Sequence, residues 1–203
     1  MTSAPRATAR PVAFAVFTVI AGAIGWFASF ELLTEYIHRL KDPDYVPSCN
    51  VSVLVSCTDN MGSWQGNILG FSNTVIGVTA FTAPIVVGAA LLAGARFSRW
   101  FWQLYQLGLL GGVSLVFWLV YQSVFSLGRL CPWCMVVWTV TIPLWWFSLF
   151  RPYASGEVAV SERTRSVFKQ LLSWAWVVVL ICYLLIAFVA QVQLDWLGEF
   201  RRM

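Results

Sequence analysis

The chain has 203 residues, of which 59% are hydrophobic and 11% charged, with 12 tryptophans and a mean hydropathy of +0.73. That much apolar surface excludes a water-soluble domain, and the chain is read as an all-α integral membrane protein. Its formal net charge of +4 calls for no nucleic acid partner, because topology and contact with anionic membrane lipid account for the basic residues.

Charges divide the chain into uncharged runs at 11–30, 60–95, 100–128, 130–150 and 170–194. Each run supplies one spanning helix of about 20 residues, so five are expected. A short polar tail, 1–10, precedes the first helix, over 11–36. The small residues Ala21-Gly22-Ala23 could end a cleaved leader, but the apolar run continues to Phe30 and predicts a retained helix. Its far end carries Glu31, Glu35 and His38 at i, i+4 and i+7, a spacing expected to give a polar collar at the membrane surface. His38 is the single histidine, and alone it makes a poor metal site, so no metal is expected.

Residues 41–72 form a loop outside the membrane that holds Cys49 and Cys57. On an oxidising side these two can pair, either as a staple for a loop with few apolar anchors or as part of a redox site. Met61, Trp64 and Ile68 then fall at i, i+3 and i+7 and predict a short half-buried helix over the bundle mouth. The second spanning helix covers about 73–94, with Ser72 and Asn73 as candidate N-caps and Pro84 as a kink. The third covers about 100–122, and 123–130 returns along the interface.

The fourth helix opens on Cys131-Pro132-Trp133-Cys134, at the head of 21 uncharged residues between Arg129 and Arg151. Proline suits a first helical turn, where its missing N–H would be unpaired anyway. Free N–H groups and the positive end of the helix dipole favour a thiolate there, the form that attacks disulfides. Cys131, Cys134 and Trp138, at i, i+3 and i+7, share one face. The motif by itself leaves a structural disulfide or half a zinc site open. Pro143 predicts a kink, 151–169 a polar cytoplasmic loop, and 170–203 a fifth helix, to about residue 190, with a short outer tail. Cys182, in the middle of that helix, reads as a small buried hydrophobe.

With the N-terminus inside, eight of the 13 Lys and Arg residues fall on inner segments and five on outer ones. The positive-inside rule thus predicts a multi-pass inner (plasma) membrane protein with its N-terminus cytoplasmic. Two crossings separate the loop cysteines from Cys131, so both pairs face the same side, here the outer one. Two thiol pairs at one membrane surface form the parts of a thiol–disulfide relay.

The order Cys49-x7-Cys57, Ser63-Trp64, Phe71-Ser72-Asn73 and Cys131-Pro132-Trp133-Cys134, within residues 31–150, resembles the vitamin K epoxide reductase family in its bacterial form. The resemblance implies a four-helix bundle, 1–150, around a quinone of menaquinone, ubiquinone or phylloquinone type, with the fifth helix added. It implies that Cys134 reacts with the quinone and pairs with Cys131, that Cys57 attacks Cys131, and that Cys49 exchanges with an external protein. It further implies that Asn73 hydrogen-bonds a quinone oxygen and that Ser63, Trp64 and Trp138 stand near it. Animal members often carry tyrosine where Trp138 stands, and an indole N–H donates but does not ionise as a phenol does. Some bacterial members fuse a thioredoxin-like domain after the fifth helix; here a separate thioredoxin-like periplasmic or extracellular protein is expected. The activity implied is a thiol–quinone oxidoreduction that supports disulfide formation. The alternatives are a non-enzymatic subunit with structural disulfides and a vitamin K quinone or epoxide reductase running on external dithiols. The other quinone-linked disulfide oxidase family of bacteria has its two cysteine pairs in the reverse order.

Overall fold

The computed structural model describes residues 12–202; the expected polar tail lies outside them. In chain order the helices are α1 (Val12–Lys41), α2 (Thr58–Gly62), α3 (Asn73–Leu92), α4 (Arg99–Tyr121), α5 (Pro132–Ser155), α6 (Glu162–Leu194) and α7 (Trp196–Arg202). A 3-10 turn, Gln65–Asn67, follows α2, and a π-helical segment, Gln122–Leu127, prolongs α4. The helices α1, α3, α4 with its extension, α5 and α6 are long and apolar enough to cross a membrane, as expected of a multi-pass membrane protein.

Local chemistry sets the ends of these helices. The Ser72 hydroxyl accepts from the Thr74 N–H at the head of α3, and Ser161 does the same for Thr164 at the head of α6. Pro132 occupies the first turn of α5, where it costs no hydrogen bond. Gly128 and Gly156, at φ of 63° and 80°, end the π-helical segment and α5 in the left-handed conformation that glycine adopts without strain.

Helices α1, α3, α4 and α5 make the four-helix bundle, and α6 runs along the outside of α5. The Tyr183 hydroxyl of α6 donates to the Thr139 carbonyl of α5 at 2.5 Å. The bundle is uneven. Glycines bring α1 and α3 together: Gly25 faces the Phe81 ring, and a Cβ on Gly88 would stand 2.8 Å from the Ala15 carbonyl oxygen. Helices α3 and α4, by contrast, barely touch. At the end away from the cysteines, Phe14, Trp102, Tyr105, Val87 and Leu91 close the bundle.

Several expected boundaries are corrected. The segment 151–169, read as a loop, is mostly helical: α5 runs to Ser155 and α6 starts at Glu162, leaving 156–161 as the connection. Helix 1 likewise continues past residue 36 to Lys41, and the fifth helix continues past 190 to Leu194, with α7 in place of a plain tail. The cause is the same each time. Hydropathy marks where a helix leaves the lipid, whereas its hydrogen-bond ladder continues into the polar layer. The single helix expected through Met61, Trp64 and Ile68 is broken, because α2 ends at Gly62 and the 3-10 turn starts at Gln65. Met61 is buried while Trp64 is 65% exposed, so the three do not share a face. Cys182 is half-buried on a helix with one packed side, where a small buried hydrophobe was expected.

The glycine seam predicts a sharp contrast between two substitutions. Gly88→Val should lower the thermal midpoint in detergent by overpacking, at about 1–3 kcal/mol. Gly108→Ala, at a position where the new methyl group meets no atom of another segment within 4 Å, should leave the midpoint unchanged or slightly raised. Equal effects would show that α1 and α3 are not packed this closely.

Candidate redox site

Cys131 caps α5 and Cys57 caps α2, so each sulfur sits at a helix start, where N–H groups lack intrahelical partners. The Cys134 N–H donates to the Cys131 sulfur at 3.4 Å. Cys49 and Cys57 form a disulfide, and the Cys57 sulfur lies 3.3 Å from that of Cys131. Cys131 and Cys134 are free thiols. Cys57 and Cys131 are fully buried, whereas Cys49 keeps 7% of its surface exposed. Leu32, Met61, Tyr36 and Trp133 complete the apolar seal. The Cys134 thiol beside it holds the Cys131 thiol below the ordinary range, as do the N–H groups of Cys134 and Trp133, against the opposing effect of burial.

Three sets of bonds hold the loop on the helix ends. A parallel bridge joins Val55 to Leu130: the Leu130 N–H donates to the Leu54 carbonyl at 2.8 Å, and the Ser56 N–H to the Leu130 carbonyl at 3.0 Å. Near the other end of the loop, Glu35 of α1 accepts from the Ser48 N–H at 3.2 Å and from the Ser48 hydroxyl. Inside the loop the Asn50 side chain binds residues 56–58. An exposed ion pair at 3.6 Å, Asp59 with Arg129, adds little.

Beyond the sulfurs lies a cavity of about 550 Å³ between α1, α3, α4 and α5. Cys134, Asn73 and Trp138 stand on its wall, which is mostly apolar, with Leu32, Phe81, Leu115 and Leu119 among its members and the hydroxyl residues Ser29, Thr74, Tyr105 and Thr141 also lining it. Gly108 and Gly112 of α4 also line it, each with open space where a side chain would be. The parting of α3 from α4 leaves the cavity open on that side.

Residues 58–72 form a lid between the sulfurs and the head of α3. Asn73 braces it: its Nδ2 donates to the Gln65 carbonyl at 2.7 Å, and its Oδ1 accepts from the Ile68 N–H at 3.2 Å. A carboxamide has two N–H donors, so one remains for a ligand. The Ser63 hydroxyl donates to the Asn60 carbonyl at 2.8 Å and accepts from the Gly66 N–H at 3.1 Å. Asn67 Nδ2 donates to the carbonyls of Met61 and Ser63, at 2.9 and 2.8 Å.

Of the residues singled out from the sequence, the four cysteines come together, and Cys134 joins Asn73 and Trp138 at the cavity. Ser63 sits inside the lid, and Trp64 is exposed against Trp118, 5.8 Å between ring centroids; neither lines the cavity. Glu35, expected in a surface collar with Glu31 and His38, is instead buried under Ser48. Asn50 and Asn67 were not anticipated. The one sequence signal for them is polarity in short segments otherwise rich in apolar residues and glycine.

Asn67→Ala should leave two lid carbonyls without their donor, a loss of about 1–3 kcal/mol. Amide hydrogen exchange should quicken over 58–72 and stay unchanged in α5. Unaltered exchange in the lid would mean that Asn67 does not hold it.

Comparison with known proteins bears directly on this geometry. No curated protein matches the chain significantly, but the model of the vitamin K epoxide reductase family matches residues 16–149, which include all four clustered cysteines and the helices around the cavity. The chain belongs to the vitamin K epoxide reductase family.

Proposed function

We propose that the protein is a membrane thiol–quinone oxidoreductase. It takes electrons from a separate thioredoxin-like dithiol protein on the non-cytoplasmic side and delivers them to a membrane quinone, so supporting disulfide formation there. The observation that carries this reading is the 3.3 Å approach of the Cys57 and Cys131 sulfurs, within attack distance, with Cys134 on the wall of an apolar cavity. Two structural staples have no reason to meet sulfur to sulfur.

The steps follow from access. A partner thiolate attacks Cys49, the less deeply buried of the loop pair; the Cys49–Cys57 bond breaks and Cys57 leaves as thiolate. The partner's second thiol resolves the mixed disulfide and departs oxidised, leaving Cys49 reduced. Cys57 attacks Cys131 of the Cys131–Cys134 disulfide, and the electron pair of that bond goes to Cys134. Cys49 then attacks Cys57, which restores the loop disulfide and frees Cys131. The bond pattern seen here, loop pair joined and helix pair free, is the one reached at this point. The helix dithiol gives two electrons and two protons to the quinone and closes to a disulfide again.

The cavity suits that acceptor. Its volume lies within the ordinary range for small-molecule sites, about 300–1,000 Å³. Its apolar walls and open side admit a ring and an isoprenoid tail from lipid. The unused N–H of Asn73 can donate to a quinone oxygen as negative charge develops, and Trp138 lines the wall one turn below Cys134. Menaquinone, ubiquinone and phylloquinone types all meet these demands.

In Cys134→Ala the Cys131 thiolate can attack Cys57 of the loop disulfide, 3.3 Å away, with Cys49 leaving as thiolate. No Cys134 thiol is present to release it, so a Cys57–Cys131 bond should accumulate and be read by non-reducing mass spectrometry. In Cys57→Ala the lone Cys49 thiolate should attack the disulfide of the oxidised partner, one partner cysteine leaving as thiolate, and with no Cys57 to resolve it the mixed disulfide on Cys49 should persist. A Cys49–Cys131 bond in the first variant would reverse the roles of the loop cysteines, and no interpair bond would mean two independent disulfides.

Asn73→Ala should slow quinone reduction by roughly 10- to 100-fold, the worth of one hydrogen bond to a developing charge. Exchange with the external dithiol should be far less affected. Equal slowing of both half-reactions would confine Asn73 to bracing the lid.

A further inference from the structure

Asn50 follows Cys49 in the chain, yet its side chain serves the other loop cysteine. Its Oδ1 accepts from the Cys57 N–H at 2.9 Å, the Ser56 hydroxyl at 3.1 Å and the Thr58 N–H at 3.4 Å. Its Nδ2 donates to Thr58 Oγ1 at 2.8 Å. The segment gripped in this way is also tied to α5, because the Ser56 N–H donates to the carbonyl of Leu130, the residue before Cys131. Both attachments converge on the backbone that carries the Cys57 sulfur to within 3.3 Å of Cys131.

While the loop disulfide is closed, these hydrogen bonds duplicate a covalent link, since the ring already joins residue 49 to residue 57. Their separate effect begins when the ring opens. Cys49 then loses its covalent restraint, and two thiols on one loop compete for one sulfur. Three donors converging on one carboxamide oxygen keep 56–58 in place without the disulfide, and among the described residues nothing comparable holds Cys49 toward Cys131. The clasp nearest Cys49, from Glu35 to Ser48, ties it to α1 instead.

We propose that Asn50 is the positioning residue of the relay, and that with the loop disulfide open its carboxamide keeps Cys57, rather than Cys49, at the Cys131 sulfur. The proposal rests on the relay reading above. It assigns to Asn50 the choice of which bond forms: Cys57–Cys131 forms as Cys131–Cys134 breaks, with the electron pair leaving on Cys134. Asn50 takes no proton and touches no reacting atom.

The test uses the full-length protein in the Cys134→Ala background, isolated with the loop disulfide as its one bond among the clustered cysteines. The Cys131 thiolate attacks it, a bond to one loop cysteine forms as the other leaves as thiolate, and the three thiol–disulfide isomers equilibrate. After acid quenching the interpair bonds are counted by non-reducing mass spectrometry. The Cys134→Ala parent should place Cys131 almost wholly on Cys57. Adding Asn50→Ala should shift the ratio of Cys57–Cys131 to Cys49–Cys131 by about tenfold toward Cys49, the effect of losing roughly one net hydrogen bond's worth of restraint. Asn50→Asp keeps the accepting oxygen and should restore the parental ratio, with the Thr58 hydroxyl turned to donate. A loss of stability alone lowers the yield of both bonds and leaves their ratio. Should Asn50→Ala fail to insert, Thr58→Val removes the acceptor that orients the carboxamide and should shift the ratio the same way by less. A parental ratio in every recovered variant overturns the role of Asn50 and leaves the relay standing. No interpair bond in the Cys134→Ala parent overturns the relay, and the proposal with it.

Discussion

The contact between the Cys57 and Cys131 sulfurs, 74 residues apart in sequence, is the constraint on which the rest of the structure depends. Exchange between disulfides requires the attacking sulfur near the axis of the bond it breaks, and a misplacement of about 1 Å costs roughly a hundredfold in rate. One of these sulfurs begins a membrane helix and the other belongs to a loop, the kind of element that ordinarily moves. The fold removes that mobility at one point. Through the bridge between Val55 and Leu130, the loop backbone is tied to the residue before Cys131 by two hydrogen bonds of 2.8 and 3.0 Å. Both cysteines follow directly from that bridge, so their separation is set by backbone pairing more than by side-chain packing.

The bundle supplies the opposite property. A cavity within a membrane bundle is reached from lipid only sideways, which requires two neighbouring helices to stand apart. Helices without glycine at their contacts could separate anywhere. Here the seam from Gly22 to Gly88 binds α3 to α1 so closely that the free space falls on the other side of α3, toward α4. The glycines of α4 then do the reverse of those on α1: Gly108 and Gly112 face open space and widen the cavity. The same residue type draws two helices together on one side of the bundle and leaves room on another, and only the neighbours of each glycine distinguish the two cases.

That distinction explains what could be read from the sequence. The five spans were legible because lipid excludes charge over about 20 residues whatever the tertiary fold. The convergence of the four cysteines was legible because counting crossings places both pairs on one side and the motif order matches a family. Helix ends were not, since α6 carries Glu162, Arg163, Arg165 and Lys169 within helical turns that extend beyond the apolar run. Nor was the role of Glu35. Helical periodicity placed it correctly on one face with Glu31 and His38, but burial came from a loop folding back over it, which no local pattern records. Asn50 was hidden for the same reason: its partners lie across the closed loop and depend on the turn that brings residue 57 back.

The lid shows how far this goes. Irregular backbone close to lipid is stable only where its N–H and C=O groups are satisfied by protein or water. Residues 58–72 contain turns that leave several such groups without helical partners, and three side chains supply them: Ser63 to Asn60 and Gly66, Asn67 to Met61 and Ser63, Asn73 to Gln65 and Ile68. A polar residue in an apolar stretch beside a binding cavity invites a ligand role, and the family pattern assigned one to Ser63. Geometry gives Ser63 a sufficient reason of its own, because its hydroxyl is already used as both donor and acceptor inside the lid. Asn73 differs in that its carboxamide satisfies two lid groups and still has an N–H left over at the cavity wall. Capacity left after the backbone is satisfied, more than polarity itself, separates a residue that can meet a ligand from one that only holds the roof above the cavity.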